Sequence, residues 1–161
     1  QEYRIGLEGE GFKMQMQQFQ EERIFLSASS LVMLDDCVKQ TISYCKDRNA
    51  FGKKVIENQA IQFNLAELQT EIESLRSLIY RACEEFIETG DMTYLASMAK
   101  LKSGRLLRQT ADICLQYWGG MGFTWENPIA KIYRDGRLMS IGGGTDEIML
   151  KIICKHLGIG K

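Results

Sequence analysis

The sequence predicts an all-α fold, an antiparallel up-and-down bundle of three long helices completed by shorter C-terminal ones. Three observations predict it. Pro128 is the single proline, so nothing of that kind interrupts a helix before it. Apolar residues recur at alternating steps of four and three. The breaks between periodic stretches are short, which places successive helices side by side and antiparallel.

After a lead-in punctuated by Gly6, Gly9 and Gly11, the first helix is expected from about Phe12 to Lys46, with Leu31, Leu34, Val38, Ile42 and Cys45 on its later inner face. Asp47 to Lys54 is the first clear break. The second helix carries Ile61, Leu65, Leu68, Ile72, Leu75, Ile79, Ala82 and Phe86, a seam about seven turns long that must be buried against two neighbours. Thr89-Gly90-Asp91 ends it, with Gly90 in the C-terminal position and Asp91 as N-cap of the third helix. That helix runs to about Trp118 and stops at Gly119-Gly120-Met121-Gly122. Asn127-Pro128 opens a short fourth helix to about Met139, with Pro128 in its first turn. Thr145 begins the last, which fades at Gly158. Residues 1–13 read as the tail of something upstream and 14–161 as the helical domain. No strand-like alternation of useful length, internal repeat or low-complexity tract is present.

Composition narrows the function classes. A net charge of -1 with mixed signs provides no basic field for nucleic acid or an anionic membrane. No apolar run reaches membrane-spanning length, and no signal or transit peptide is visible. Five cysteines, Cys37, Cys45, Cys83, Cys114 and Cys154, form no C-x-x-C pair and lie in apolar-periodic stretches, so they read as buried reduced thiols of an intracellular compartment. There is no metal-ligand cluster. His156, the only histidine, assembles no triad with Ser and Asp and reads as a helical surface or packing residue.

Four stretches carry candidate chemistry. Ile141 to Glu147 reads I-G-G-G-T-D-E. Gly142, Gly143 and Gly144 bare the backbone to something flat or bulky, and Thr145 offers an N-cap with Asp146 and Glu147 in the first turn. The stretch holds helix-start donors but no base or nucleophile among its glycines. In Phe19 to Leu26, helical steps place Glu22 and Arg23 on the side of Phe19 and Leu26, with Glu21 pointing away. An inward carboxylate loses solvation and suits a general base, while Arg23 acts the opposite way; the alternative is a solvated face. Arg48, at a helix end, can hold a phosphate bidentately while Phe51 covers a ring, with Asn58 and Gln59 as neutral partners; alternatively Phe51 plugs the bundle end. Gln116 to Gly122, including Gly119 and Gly120, is either a cap with anchoring aromatics or a close backbone approach to a ligand.

In order along the chain, R-N-A-F-G-K-K-V-I-E-N-Q-A-I-Q, Q-Y-W-G-G-M-G-F, P-I-A-K-I-Y-R-D-G-R and I-G-G-G-T-D-E-I resemble the C-terminal helical domain of the acyl-CoA dehydrogenase family over nearly the whole length. The resemblance implies FAD as cofactor, an acyl-CoA thioester as substrate, and α-proton abstraction by a glutamate while the β-hydrogen leaves as hydride to flavin N5. It implies that Arg48 and Phe51 reach the FAD of a neighbouring subunit, that Asn58, Gln59, Gln116, Gly119 and Gly120 continue that contact, and that Thr145, Asp146 and Glu147 meet FAD at the last helix.

Most members carry the catalytic glutamate where this chain has Gly143. The long-chain and isovaleryl branches instead supply it from the first helix in an E-R pair, here Glu22-Arg23. Glu22 is therefore expected as base, with Arg23, Gly142, Gly143 and Gly144 lining the substrate. A homodimer or homotetramer, electron-transfer flavoprotein as acceptor, a mitochondrial matrix location with peroxisome as alternative, and negligible turnover by this piece alone complete the expectation. Two alternatives stay open: a non-catalytic oligomerisation domain, and an acyl-CoA oxidase that passes electrons to oxygen.

Overall fold

The computed structural model describes residues 3–160 as five helices and a minimal hairpin. Helices α1 (Gly11–Asp47), α2 (Gln59–Thr89) and α3 (Thr93–Trp118) run up, down and up, and α4 (Pro128–Asp135) and α5 (Asp146–His156) pack on α3. Helix α3 is thus the central element, touching every other helix.

The second-helix seam lies where its spacing predicts. Leu65, Leu68, Ile72, Leu75, Ile79 and Ala82 are buried, and Ile61 and Phe86 at the two ends are half-buried. Opposite them stand Leu31, Leu34 and Val38 of α1 and Leu95, Ala99, Leu106 and Leu107 of α3. Each aliphatic side chain withdrawn from water contributes roughly 1.5–3 kcal/mol, so this seam supplies most of what docks α2. The thiols of Cys37 and Cys114 meet between α1 and α3, where the hydrogen bond and burial push the Cys37 thiol up and keep it protonated. All five cysteines are free.

Two boundaries differ from expectation. Gly90 ends α2 in the left-handed conformation as expected, but α3 begins at Thr93 with Met92 in the cap position. Asp91 still caps it from one residue earlier, its Oδ1 accepting the Thr93 N–H at 2.9 Å. That bond is the main reason its carboxyl is held below the usual range.

The fourth helix stops at Asp135, and the chain tightens into a 3-10 turn over Gly136–Ser140 instead of continuing to Met139. The cause is close packing on α3. A Cβ on Gly136 would lie 3.0 Å from Leu107 Cδ2, and one on Gly104 would lie 2.8 Å from the Met139 carbonyl oxygen. Backbone therefore lies directly on backbone where Gly104 has no side chain.

Among the described residues, no helix is long and apolar enough to cross a membrane.

Candidate functional site

The glycine turn follows this 3-10 segment. The Gly142 N–H closes it onto the Leu138 carbonyl at 2.8 Å, and the chain then passes through φ +69° at Gly143 and +113° at Gly144. Two cations from different helices hold consecutive carbonyls of the turn. Arg23 of α1 donates its Nε–H to the Gly143 oxygen at 3.3 Å, and Lys100 of α3 donates from Nζ to the Gly144 oxygen. Arg23 is 5% exposed and Lys100 0%. Burial pushes both below their ordinary ranges; Glu22 pulls Arg23 back up, and Asp146 does the same for Lys100.

The turn also touches α1 through Leu26, whose Cδ1 is the one atom within 4 Å of a Cβ built on Gly143. Leu26 lies one helical turn after Glu22. Glu22 is half-buried and Glu21 exposed, the separation that helical phase predicts. The Arg23 guanidinium lies 5.7 Å from the Phe19 ring centroid, a cation–π contact that steadies it beside Glu22.

At the start of α5, Thr145 occupies the N-cap position, but its hydroxyl makes no capping bond to the helix. The Glu147 carboxyl is held below its usual range by its own backbone N–H and by the Thr145 hydroxyl. The Asp146 carboxylate turns toward α3, where Oδ2 accepts from Arg105 Nε at 3.1 Å and Arg108 Nη2 at 3.2 Å. Its Oδ1 is buried without a partner among the described residues.

A second group gathers at the far end of the bundle. Strands β1 (Asn49–Ala50) and β2 (Lys53–Lys54) pair across Phe51-Gly52, both at positive φ, a two-residue turn of the hairpin type. Phe51 is wholly exposed, so it does not plug the bundle end, and Arg48 is exposed beside it. Asn58 donates its amide to the Val55 carbonyl at 2.9 Å and steadies the 3-10 turn Val55–Glu57, while Gln59 is exposed.

Gln116, Gly119 and Gly120 are exposed at the end of α3, with open space where a Cβ on either glycine would stand. This end is braced from beneath. Tyr44 stacks on Trp118 with ring centroids 4.2 Å apart, and the indole N–H donates to Thr41 Oγ1 at 3.1 Å.

The expected site residues therefore fall into two groups. Glu22, Arg23, the glycine turn and the start of α5 come together; Arg48, Phe51, Asn58, Gln59, Gln116, Gly119 and Gly120 lie at the other end of α1, where Tyr44 meets Trp118. Along α1, Glu22 and Arg48 are separated by about 40 Å of helix rise, and along α3 Arg105 and Trp118 by about 20 Å.

Sequence reasoning missed Lys100, Gly104, Arg105 and Arg108. Part of the signal was present, because Gly104 is a lone mid-helix glycine, which marks a close approach. His156 plays no part in either group and stacks on Tyr94 with ring centroids 3.9 Å apart. No three His, Cys, Asp or Glu side chains gather as metal ligands among the described residues.

Comparison with known proteins joins these groups to a family. Residues 9–158 match the family model described as acyl-CoA dehydrogenase, C-terminal domain. The mouse mitochondrial long-chain specific acyl-CoA dehydrogenase is 38% identical over 154 residues, covering 95% of this chain and 36% of the relative. A crystal structure of acyl-CoA dehydrogenase from Geobacillus kaustophilus superposes with a TM-score of 0.91 at 36% identity, covering 95% of this chain and 40% of that one. A structure titled PigA with FAD and proline superposes at 0.92 with 26% identity, covering 97% and 41%. The chain thus spans little more than a third of the mouse relative's length. With the fold, the glycine turn and the matched range in agreement, the chain belongs to the acyl-CoA dehydrogenase family, as its C-terminal helical domain.

Proposed function

We propose that this domain serves an FAD-dependent acyl-CoA dehydrogenase in which Glu22 is the base. One observation carries the reading: positive φ and a close Leu26 contact disfavour a side chain at position 143, and the α1 face that makes this contact carries half-buried Glu22 a turn away. Gly143 sits at φ +69°, where L-residues are strained, and a Cβ there would meet Leu26 Cδ1 at 3.0 Å. A carboxylate serving this turn is better supplied from α1.

In this reading the acyl thioester lies along the Gly142–Gly144 backbone. Glu22 takes the proton from the carbon α to the thioester carbonyl. The C–H electron pair becomes the α,β double bond as the β-hydrogen leaves with its own pair. FAD, when bound, supplies the acceptor for that hydride. Arg23, hydrogen-bonded to Gly143 and beside Glu22, keeps base and turn in register.

The residues fit a flavin dinucleotide in two separate pieces. At the hairpin, an exposed guanidinium stands beside a wholly exposed aromatic, and two bare glycines end α3 at the same end of the bundle, suited to a pyrophosphate and a planar ring. At α5, Thr145 offers a hydroxyl and helix-start N–H groups. Asp146, ion-paired to α3, would contribute through its backbone, and Glu147 through Thr145. Asn58 would act by bracing the hairpin, beside Gln59 and Gln116.

Two groups so far apart in one chain favour a site completed by a second copy, as a homodimer or homotetramer. Exposed Phe63, Tyr80 and Ile87 on α2 are suited to assembly. The mitochondrial names of the relatives favour the matrix, and electron-transfer flavoprotein is the expected acceptor.

The test is Glu22→Gln in the full-length enzyme, with acyl-CoA turnover and binding measured together. Turnover should fall by about 100- to 10,000-fold with binding kept; unchanged turnover removes Glu22 as base. The piece of 161 residues alone should show negligible turnover. Anaerobic reduction followed by air separates the oxidase reading, which requires rapid reoxidation with peroxide release.

A further inference from the structure

Lys100 is the most costly side chain in the domain to explain by packing. It is among the largest wholly buried residues, and among the described residues its ammonium has a single hydrogen-bonded partner, the Gly144 carbonyl. Removing an ammonium from water for one neutral acceptor is unfavourable, and a glutamine or serine would satisfy a carbonyl at less expense. The surroundings neutralise it only in part. Asp146 faces it from α5 and supports its charge, although Oδ2 of that carboxylate is shared by Arg105 and Arg108, while Arg23 faces it from α1 and opposes it.

What the position does achieve is geometric. Arg23 and Lys100 grip adjacent carbonyls of the turn from two different helices, and Gly104, one helical turn beyond Lys100, lets the preceding 3-10 segment lie flat on α3. The turn is therefore held at consecutive peptides by two rigid helices, although both of its central residues have positive φ.

Resting on the function proposed above, we infer that Lys100 is a positioning residue for the reaction: by holding the Gly144 carbonyl while Arg23 holds that of Gly143, it fixes the turn against which the thioester is presented to Glu22.

The test uses the full-length holoenzyme with Lys100→Met and two readouts. The first is steady-state kinetics with flavin content. Displacement of a reacting group by about 1 Å lowers kcat by up to about 100-fold, so kcat should fall about 10- to 100-fold while KM and bound flavin stay within about twofold. The second is amide hydrogen exchange, which should quicken at least about tenfold over residues 142–147 with the core of α3 still protected. Lys100→Gln, which keeps a donor, should recover part of both, and it serves as the probe if the Met variant does not fold.

Unchanged kcat, unchanged exchange at the turn, or a parallel loss of kcat, flavin and global stability each overturns the inference; the last would make Lys100 a scaffold residue only. Parent and Glu22→Gln enzymes measured alongside keep the two proposals apart. An inactive parent or an active Glu22→Gln variant defeats the base assignment, whereas the exchange arm still decides whether Lys100 fixes the turn.

Discussion

Leu26 Cδ1 stands 3.0 Å from the point a Cβ on Gly143 would occupy, so α1 fills the space a side chain from the glycine turn would need. Gly143→Glu should therefore destabilise the protein by about 1–3 kcal/mol, from positive φ and overpacking together. The loss is read as a lower urea midpoint of the full-length chain. Adding Leu26→Ala removes the steric part, so the two substitutions should be less than additive. Additive losses would show that Leu26 is not what closes the position.

Gly104→Ala sets two effects against each other. In an exposed helix alanine is favoured over glycine by about 1 kcal/mol. Here the new methyl would lie 2.7 Å from Ser140 Oγ and 2.8 Å from the Met139 oxygen, and the second of these is backbone that cannot swing aside. Overpacking of about 1–3 kcal/mol should win, lowering Tm. A raised Tm would contradict the backbone contact.

The difference between these positions and the bundle itself explains what was legible in the sequence. Leu65 to Ala82 announce α2 because every member of the seam is apolar and, Leu78 and Tyr80 apart, every neighbour around the helix is polar or small. Helix α1 is less clear, since Phe25 and Val32 on its outer side are 71% and 65% exposed, so its hydrophobicity does not point one way.

Glu22 was separable from Glu21 by helical phase alone. Lys100 was not legible in the same way, because lysine in a helix ordinarily signals solvent. Its burial depends on a carbonyl contributed 44 residues later. The early end of the fourth helix was hidden similarly, its cause lying in Leu107 and Gly104 of another helix. The direction of Asp146 depended on Arg105 and Arg108, whose spacing identifies a helix face but not what packs on it.

Phe51 offers a test in which stability and binding move in opposite directions. It has φ +52° and a fully exposed ring, so its side chain gives the fold no packing. Phe51→Gly should stabilise the apo protein by about 1 kcal/mol through relief of left-handed strain. If the ring covers a flavin dinucleotide, the same change should weaken FAD binding in the full-length enzyme. Thermal unfolding and flavin titration read the two effects, and tighter FAD binding would exclude a role for the ring.

Asp91 gives a pH-dependent prediction. Its carboxyl is held below the usual range chiefly by the Thr93 N–H, so the folded state favours the ionised form. The resulting stabilisation is present above the unfolded-state pKa, near 4, and disappears as pH falls through the lower folded value. Asp91→Ala should cost about 0.5–1 kcal/mol at neutral pH, reduced by exposure. The gap from the parent should narrow below about pH 4. A constant gap down to strongly acid pH would argue against the carboxylate as the cap.

The separation between the hairpin and Glu22 has a genetic consequence if each cofactor lies across two copies. In a mixed dimer of Glu22→Gln and Phe51→Ala chains, one site inherits both lesions and the other inherits none. Two inactive alleles would then restore activity when expressed together, and heterozygotes would fare better than either homozygote.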